Sequence, residues 1–263
     1  MKENIFNFRS RLILIIALCL VTTSHLASLI VFEDYIKYNY KTDSYYANRV
    51  YDFSQIKDIK KRKKMFIDFM SLIIKTENKD VLANRNRIKE LRKKNNLTRD
   101  ELKFINNIEK VYLLDVSENS VGIDWTELLK RVDIIPLELA ITQAAIESGW
   151  GTSVFAQKAN NMYGHWTYKA GTGLVPKKRD KGKKHEIAVF TSVNDSVRKY
   201  MLNLNTNRAY KLFRDLRDNM RKSGSELKGE ELSAGLVNYS GIGEDYIKMI
   251  NSIIKDVSNK LEN

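Results

Sequence analysis

The sequence predicts a mainly α-helical protein with a small β-hairpin lobe, and three observations predict it. Proline occurs only at Pro136 and Pro176, so long stretches are free of the missing donor and ring clash that break helices. Apolar residues recur at three- and four-residue steps through most of the chain after residue 54, the period of a helix face. That pattern stops between residues 165 and 190, where Gly171, Gly173 and Gly182 separate two short extended pieces. The chain divides on this reading into a signal or anchor segment, 1–32, a basic helical region, 33–115, and a second helical domain carrying the hairpin, 116–263.

The first segment sets the compartment. Lys2, Arg9 and Arg11 precede the apolar run Leu12 to Val21, and Leu26 to Phe32 resumes it after Thr22-Thr23-Ser24-His25. A basic region followed by an apolar one is the pattern of a secretory signal, with Thr22 and Ser24 in reach of a cleavage site. Taken whole, Leu12 to Phe32 is also long enough to cross a bilayer at about 1.5 Å per residue, as a retained anchor. Both readings place the rest of the chain outside the cytoplasm, in the periplasm or on the outer face of the plasma membrane. Cys19 is the only cysteine, so no intramolecular disulfide is available to test that compartment.

Residues 33–53, rich in Tyr, Asp and Lys, read as a tether or poorly packed lead-in. Met65, Phe66, Phe69, Met70, Ile73 and Ile74 then mark the apolar face of a helix. Thr98 to Glu101 is a capping box, with Leu102, Ile105, Ile108 and Val111 as the apolar side of the helix it opens. The basic runs Lys60 to Lys64 and Arg85 to Lys94 are either solvated helix faces or an adhesive surface for an anionic partner. Asp115 to Gly122 is a polar loop and the expected domain boundary. Asp124 caps a short helix, and Pro136 sits at the first position of a helix running to Ser148, which Gly149 and Gly151 end. A short helix follows within 152–159. Beyond the hairpin region, whose last piece is Glu186 to Phe190, helices are expected near 193–204, 207–222, 230–237 and 243–260.

The net charge of +13 favours a polyanion or an anionic surface as partner. Nucleic acid is excluded because no aromatic residues interleave the basic runs and no binding motif is present. Three scattered histidines, His25, His165 and His185, make no metal site, and no cofactor is called for.

The chemistry centres on Glu147. Ala140, Gln143, Ala144 and Glu147 share one helix face, and the two alanines imply close packing. Glu147 thus projects from a partly buried face in the last turn of its helix. Burial and the negative end of the helix dipole both disfavour its carboxylate. A carboxylic acid still protonated near neutral pH is what a glycosidase uses to protonate a leaving oxygen. Spacing alone is equally met by a glutamate exposed to water. Gly149 and Gly151 would leave room for a sugar beside it.

Ala144-Ala145-Ile146-Glu147-Ser148-Gly149-Trp150-Gly151, followed by Asn160-Asn161-Met162-Tyr163-Gly164, closely resembles the glucosaminidase family of peptidoglycan hydrolases (glycoside hydrolase family 73). Ala170 to Pro176, Asn238-Tyr239-Ser240 and Asp245-Tyr246 look like its Bax-type branch, often described as having a mannosyl-glycoprotein endo-β-N-acetylglucosaminidase-like domain. The resemblance covers about residues 120–260. It implies a lysozyme-like helical domain with a β-hairpin lobe lining the cleft, and an endo-β-N-acetylglucosaminidase acting on peptidoglycan glycan strands. Glu147 matches the family's catalytic acid. Glu186, in the hairpin lobe, is the candidate second carboxylate or else a surface strand residue. Tyr239 and Tyr246 match the two tyrosines of a Y-A-T-D-P-x-Y-like motif that is one residue longer here. Trp166 is a sugar-stacking platform or a core residue, Trp150 is structural, and Tyr163, Asn161 and Tyr246 complete the expected substrate contacts. The rival readings are a lytic transglycosylase or muramidase on the same fold, and an inactive wall-binding module.

Overall fold

The computed structural model describes residues 45–114, 122–176 and 185–262. The apolar run Leu12 to Phe32, residues 115–121 of the expected polar loop and the basic run Lys177 to Lys181 lie outside them. Among the described residues no helix is long and apolar enough to cross a membrane.

Among the described residues the architecture is mainly helical with one small sheet. In chain order it comprises α1 (Ile59–Arg92), α2 (Arg99–Val111), α3 (Trp125–Arg131), α4 (Leu137–Ser148), α5 (Val154–Ala159), β1 (Trp166–Thr167), β2 (Gly173–Leu174), β3 (Glu186–Ala188), α6 (Val193–Thr206), α7 (Lys211–Ser223), α8 (Gly229–Leu232) and α9 (Glu244–Glu262). Short 3-10 turns precede α1 and α7 and follow α8. The expected hairpin is a three-stranded antiparallel sheet with β3 in the middle, Trp166 opposite Ile187 and Gly173 opposite Ala188.

Helix α1 begins where Asp58 accepts a hydrogen bond from the Lys61 amide, satisfying one of the free N–H groups of the first turn. Its apolar stripe from Met65 to Ile74 is buried and faces α4, α6 and α9. Helix α4 is the central rod. Leu139 to Ala145 are all buried, and the small Ala140 and Ala144 let α9 approach closely. Asn78 of α1 clasps the entry to α4, donating to the Ile135 carbonyl at 2.8 Å and accepting from the Ile135 amide at 3.2 Å. Pro136 is the cap residue of α4, one position before the expected place.

Three expectations are corrected by packing. First, residues 46–53 are no tether. Ala47 bonds through its amide to Asn194 and through its carbonyl to the Val193 amide, and the Val50 amide donates to Asn160. Phe53 is fully buried edge-on against Phe66 and Phe69. Second, 115/116 is not a packing boundary. Residues 46–263 form one compact unit, and Ile88 and Leu91 of α1 share a cluster with Ile105 and Ile108 of α2 and Leu128 of α3. Third, the buried stripe of α2 is narrower than its apolar pattern. Leu102 and Val111 are exposed, because the cluster covers only the face of Ile105, Ile108 and the following Tyr112. The capping box at Thr98 and Glu101 is present as expected.

The basic runs are mixed in role. Lys60 and Lys61 are exposed, whereas Arg85 is buried and donates to the Leu129 and Val132 carbonyls. Arg85 lies 3.5 Å from Asp133, which also takes two hydrogen bonds from Arg221 at 3.0 and 2.9 Å and has Arg217 at 3.9 Å. Burial alone would raise the Asp133 pKa, but Arg221, Arg217 and Arg85 outweigh it and hold the carboxyl below its ordinary value. Asp133→Ala strands buried guanidinium groups, a loss expected to cost about 3–5 kcal/mol, readable as a lower urea midpoint. The sign in pH follows: the Asp133 contribution is present above its unfolded pKa and fades as pH falls through the depressed folded one. The gap between parent and Asp133→Ala is therefore expected to narrow in acid below about pH 4, near the ordinary aspartate pKa.

Candidate active site

The site begins at the turn that ends α4. Ser148 donates its hydroxyl to the Ala144 carbonyl at 2.6 Å and accepts from the Gly151 amide at 2.8 Å. Gly149, Trp150 and Gly151 all take left-handed conformations, with φ of 58°, 58° and 76°. A non-glycine residue rarely adopts such φ, and Trp150 is held there by packing its ring edge-on against Phe66, with Lys63 above it at 4.7 Å. At Gly151 a Cβ would lie 2.6 Å from the Phe53 ring. The Ser-Gly-Trp-Gly run therefore buckles α4 onto α1 and its lead-in.

The room beside Glu147 comes from a different glycine. Gly164 has φ +69°, and a Cβ there would stand 3.3 Å from Glu147 Oε2. Gly164→Ala is expected to cost about 1–2 kcal/mol of stability from the left-handed backbone and to lower activity further by crowding the carboxyl. Thermal melts and turnover of one preparation separate the two effects.

Glu147 is half-buried. Tyr246 donates to its Oε1 at 2.8 Å. Burial pushes the Glu147 pKa up, and the Tyr246 hydrogen bond opposes but does not cancel that rise. Behind it, Gln143 donates to the Tyr246 hydroxyl at 3.1 Å and Tyr200 donates to Gln143 at 2.7 Å. Tyrosine rings wall this region: Tyr163 stacks on Tyr200 at 3.8 Å and Tyr239 stacks on Tyr246 at 5.4 Å.

Glu147 opens into a cleft of about 360 Å³, lined also by Tyr163, Gly164, His165, Trp166, Asn203, Tyr210, Tyr239, Ser240 and Gly241. Among the described lining residues Glu147 is the one carboxylate. Tyr239 is half-buried and donates to the Tyr163 carbonyl at 3.3 Å. Burial drives its pKa well above the ordinary value, so it keeps its proton and can donate. Trp166 is exposed on the lip, its ring edge-on to His185 at 4.3 Å, an open aromatic face of the kind a pyranose covers. His165 is held neutral, its pKa brought down to about 4 chiefly by burial and secondarily by the Lys199 charge.

Three of the expected site residues lie elsewhere. Glu186 is buried and does not line the cleft. Its Oε1 accepts from the Gly171 amide at 3.0 Å and its Oε2 from the Gly173 amide at 2.9 Å, so it braces the β1–β2 turn. Asn161 is buried and clamps the same lobe, donating to the His165 and Ala188 carbonyls and accepting from the His165 amide. Tyr246 is buried, and its hydroxyl serves Glu147. Asn203 and Tyr210 were not anticipated. They reach the cleft from α6 and the turn after it, more than fifty residues beyond Glu147, and carry no local motif. Gly164 had a signal, as the last residue of the Asn-Asn-Met-Tyr-Gly run.

A carboxyl raised in pKa at a helix end thus opens into an aromatic-walled cleft beside a small antiparallel sheet, an arrangement suited to proton transfer onto a bound sugar. Residues 123–259 match the family described as mannosyl-glycoprotein endo-beta-N-acetylglucosaminidase, and the chain belongs to this glucosaminidase family. Protein bax of Escherichia coli is 34% identical over 195 residues, covering 74% of this chain and 69% of bax. No solved structure matches the chain.

Proposed function

We propose that the protein is a peptidoglycan hydrolase that cuts the β-1,4 linkages of glycan strands as an endo-β-N-acetylglucosaminidase, with Glu147 as general acid. The observation that carries this reading is the half-buried Glu147 carboxyl, raised in pKa and open to an aromatic-walled cleft. Protonated, it delivers a proton to the glycosidic oxygen as the bond to the anomeric carbon breaks. Trp166 offers the stacking face for a sugar ring.

Inverting and retaining glycosidases in general pair two carboxyl groups across the scissile bond, about 5–9.5 Å apart. Among the described residues the cleft supplies one, and Glu186 is engaged by two backbone amides. The proposal therefore takes the substrate's own acetamido oxygen as the internal nucleophile, with the Tyr239 hydroxyl turning from the Tyr163 carbonyl to orient it. The acetamido oxygen bonds to the anomeric carbon as the glycosidic oxygen leaves with the Glu147 proton. Water then attacks the same carbon, the bond to the acetamido oxygen breaks, and Glu147, now a carboxylate, draws the water's proton. The reading carries with it an extracytoplasmic location, motivated by the basic flank ahead of Leu12 to Phe32.

Digestion of purified peptidoglycan followed by mass spectrometry tests it. Fragments ending in a reducing N-acetylglucosamine support the glucosaminidase. Muramic or anhydro-muramic ends would instead assign the muramidase or lytic transglycosylase reading, and binding without cleavage would assign a wall-binding module.

A further inference from the structure

Behind Glu147 runs a chain of hydrogen bonds with one direction. Tyr200, fully buried on α6, donates its hydroxyl to Gln143 Oε1 at 2.7 Å. Gln143, fully buried on α4, donates Nε2 to the Tyr246 hydroxyl oxygen at 3.1 Å. Tyr246, on α9, donates to Glu147 Oε1 at 2.8 Å. Each link constrains the next. A tyrosine hydroxyl has a single proton. With Gln143 donating to the Tyr246 oxygen, that proton has Glu147 Oε1 as its acceptor. Turning the Gln143 amide over would point Nε2 at Tyr200 and take away the acceptor that the Tyr200 proton has at 2.7 Å. An unsatisfied donor in a closed core is costly, so the chain holds its direction.

We propose that Gln143 and Tyr200 are positioning residues that keep Tyr246 a donor to Oε1 of Glu147, which places the transferable proton of the acid on Oε2. The inference rests on the reading of Glu147 as general acid. Of the two oxygens of a protonated carboxyl the carbonyl oxygen is the stronger acceptor, so a donor held on Oε1 favours the acid's proton on Oε2. Oε2 is the oxygen beside Gly164, a lining residue of the cleft. The two carboxyl oxygens are thus given separate tasks, Oε1 facing the protein and Oε2 facing the substrate. In a reversed chain Glu147 would donate from Oε1 to Tyr246, back into the core and away from the glycosidic oxygen.

Tyr200→Phe removes the origin of the chain for the loss of one oxygen atom. Turnover at saturating purified peptidoglycan is expected to fall about fivefold, the effect of one ordinary hydrogen bond, with KM little changed. The basic limb of the pH–rate profile is expected to move to higher pH, because the donor that stabilised the carboxylate is no longer held in place. The Glu147 carboxyl carbon, followed by NMR in carbon-13-labelled protein, is expected to titrate at higher pH in the variant. Gln143→Met, nearly the same shape and without charge, removes the donor to Tyr246 and the acceptor of Tyr200, so its loss of turnover is expected to be at least as large with the same direction in pH; it decides the matter should Tyr200→Phe not fold. A purely structural role would lower the unfolding temperature and leave both the pH limb and the carbon titration in place, and that result overturns the proposal. The titration needs no substrate. An upward shift in a protein that does not cut peptidoglycan keeps the relay and removes the substrate assignment.

Discussion

Glu147→Gln is expected to abolish glycan cleavage while making the protein more stable at neutral pH. Glutamine keeps the shape and still accepts the Tyr246 hydrogen bond through its amide oxygen, but it has no proton to give. Removal of a general acid is expected to lower turnover by at least about 10²-fold. In the parent, activity is expected to decline as pH rises through the elevated Glu147 pKa, since the protonated form is the working one. The stability sign follows from the same elevation. A carboxyl whose folded pKa lies above its unfolded value contributes stability at low pH and loses it as pH rises through the folded value. Above that point the parent carries a half-buried carboxylate that burial disfavours, and the glutamine variant does not. The difference in melting temperature is therefore expected to open as pH rises and then level off. Near-normal hydrolysis by a folded Glu147→Gln protein would remove Glu147 from the mechanism.

A chain beginning at residue 116 is expected to have no cooperative unfolding transition, although it retains every motif of the glucosaminidase family. It lacks α1, whose Phe66, Phe69, Met70, Ile73 and Ile74 are fully buried. Five such side chains contribute about 1.5–3 kcal/mol each, which is comparable with the whole net stability of a domain, about 5–15 kcal/mol. The loss also exposes one side of α4 and takes away Phe53 and Phe66, against which Gly151 and Trp150 lie. Circular dichroism melts of residues 46–263 and 116–263 check this, a sharp transition being expected only in the longer chain. A sharp transition in the shorter one would show that the glucosaminidase-type region folds alone.

Much of the local structure was legible because it depends on neighbours in the chain. The capping box at Thr98, the cap at Asp124, the helix 137–148 and its glycine stop all appear. They rest on backbone hydrogen bonds made within three or four residues, which residue type and spacing express directly. Glu147 was legible for a related reason. Its helix face, its last-turn position and the Glu-Ser-Gly-Trp-Gly run are all local. The docking of residues 46–53 through Ala47, Val50 and Phe53 was not legible, since a polar, aperiodic stretch gives no sign of the partners, Asn160 and Asn194, that lie more than one hundred residues away.

The sequence by itself determined the helices, the broken hairpin region, the helix-end place of Glu147 and the family resemblance, because periodicity, capping and a contiguous motif are short-range properties of a chain. Only the tertiary structure decided which polar groups face the cleft and which face each other. Glu186 and Asn161, side chains well suited to a sugar, are drawn inward because the short strands leave Gly171, Gly173, His165 and Ala188 backbone groups in need of partners. Tyr246 turns to Glu147 because α9 packs across α4. A buried polar group must find a partner wherever the fold brings one, and that choice is made between elements distant in sequence, where no spacing rule reaches.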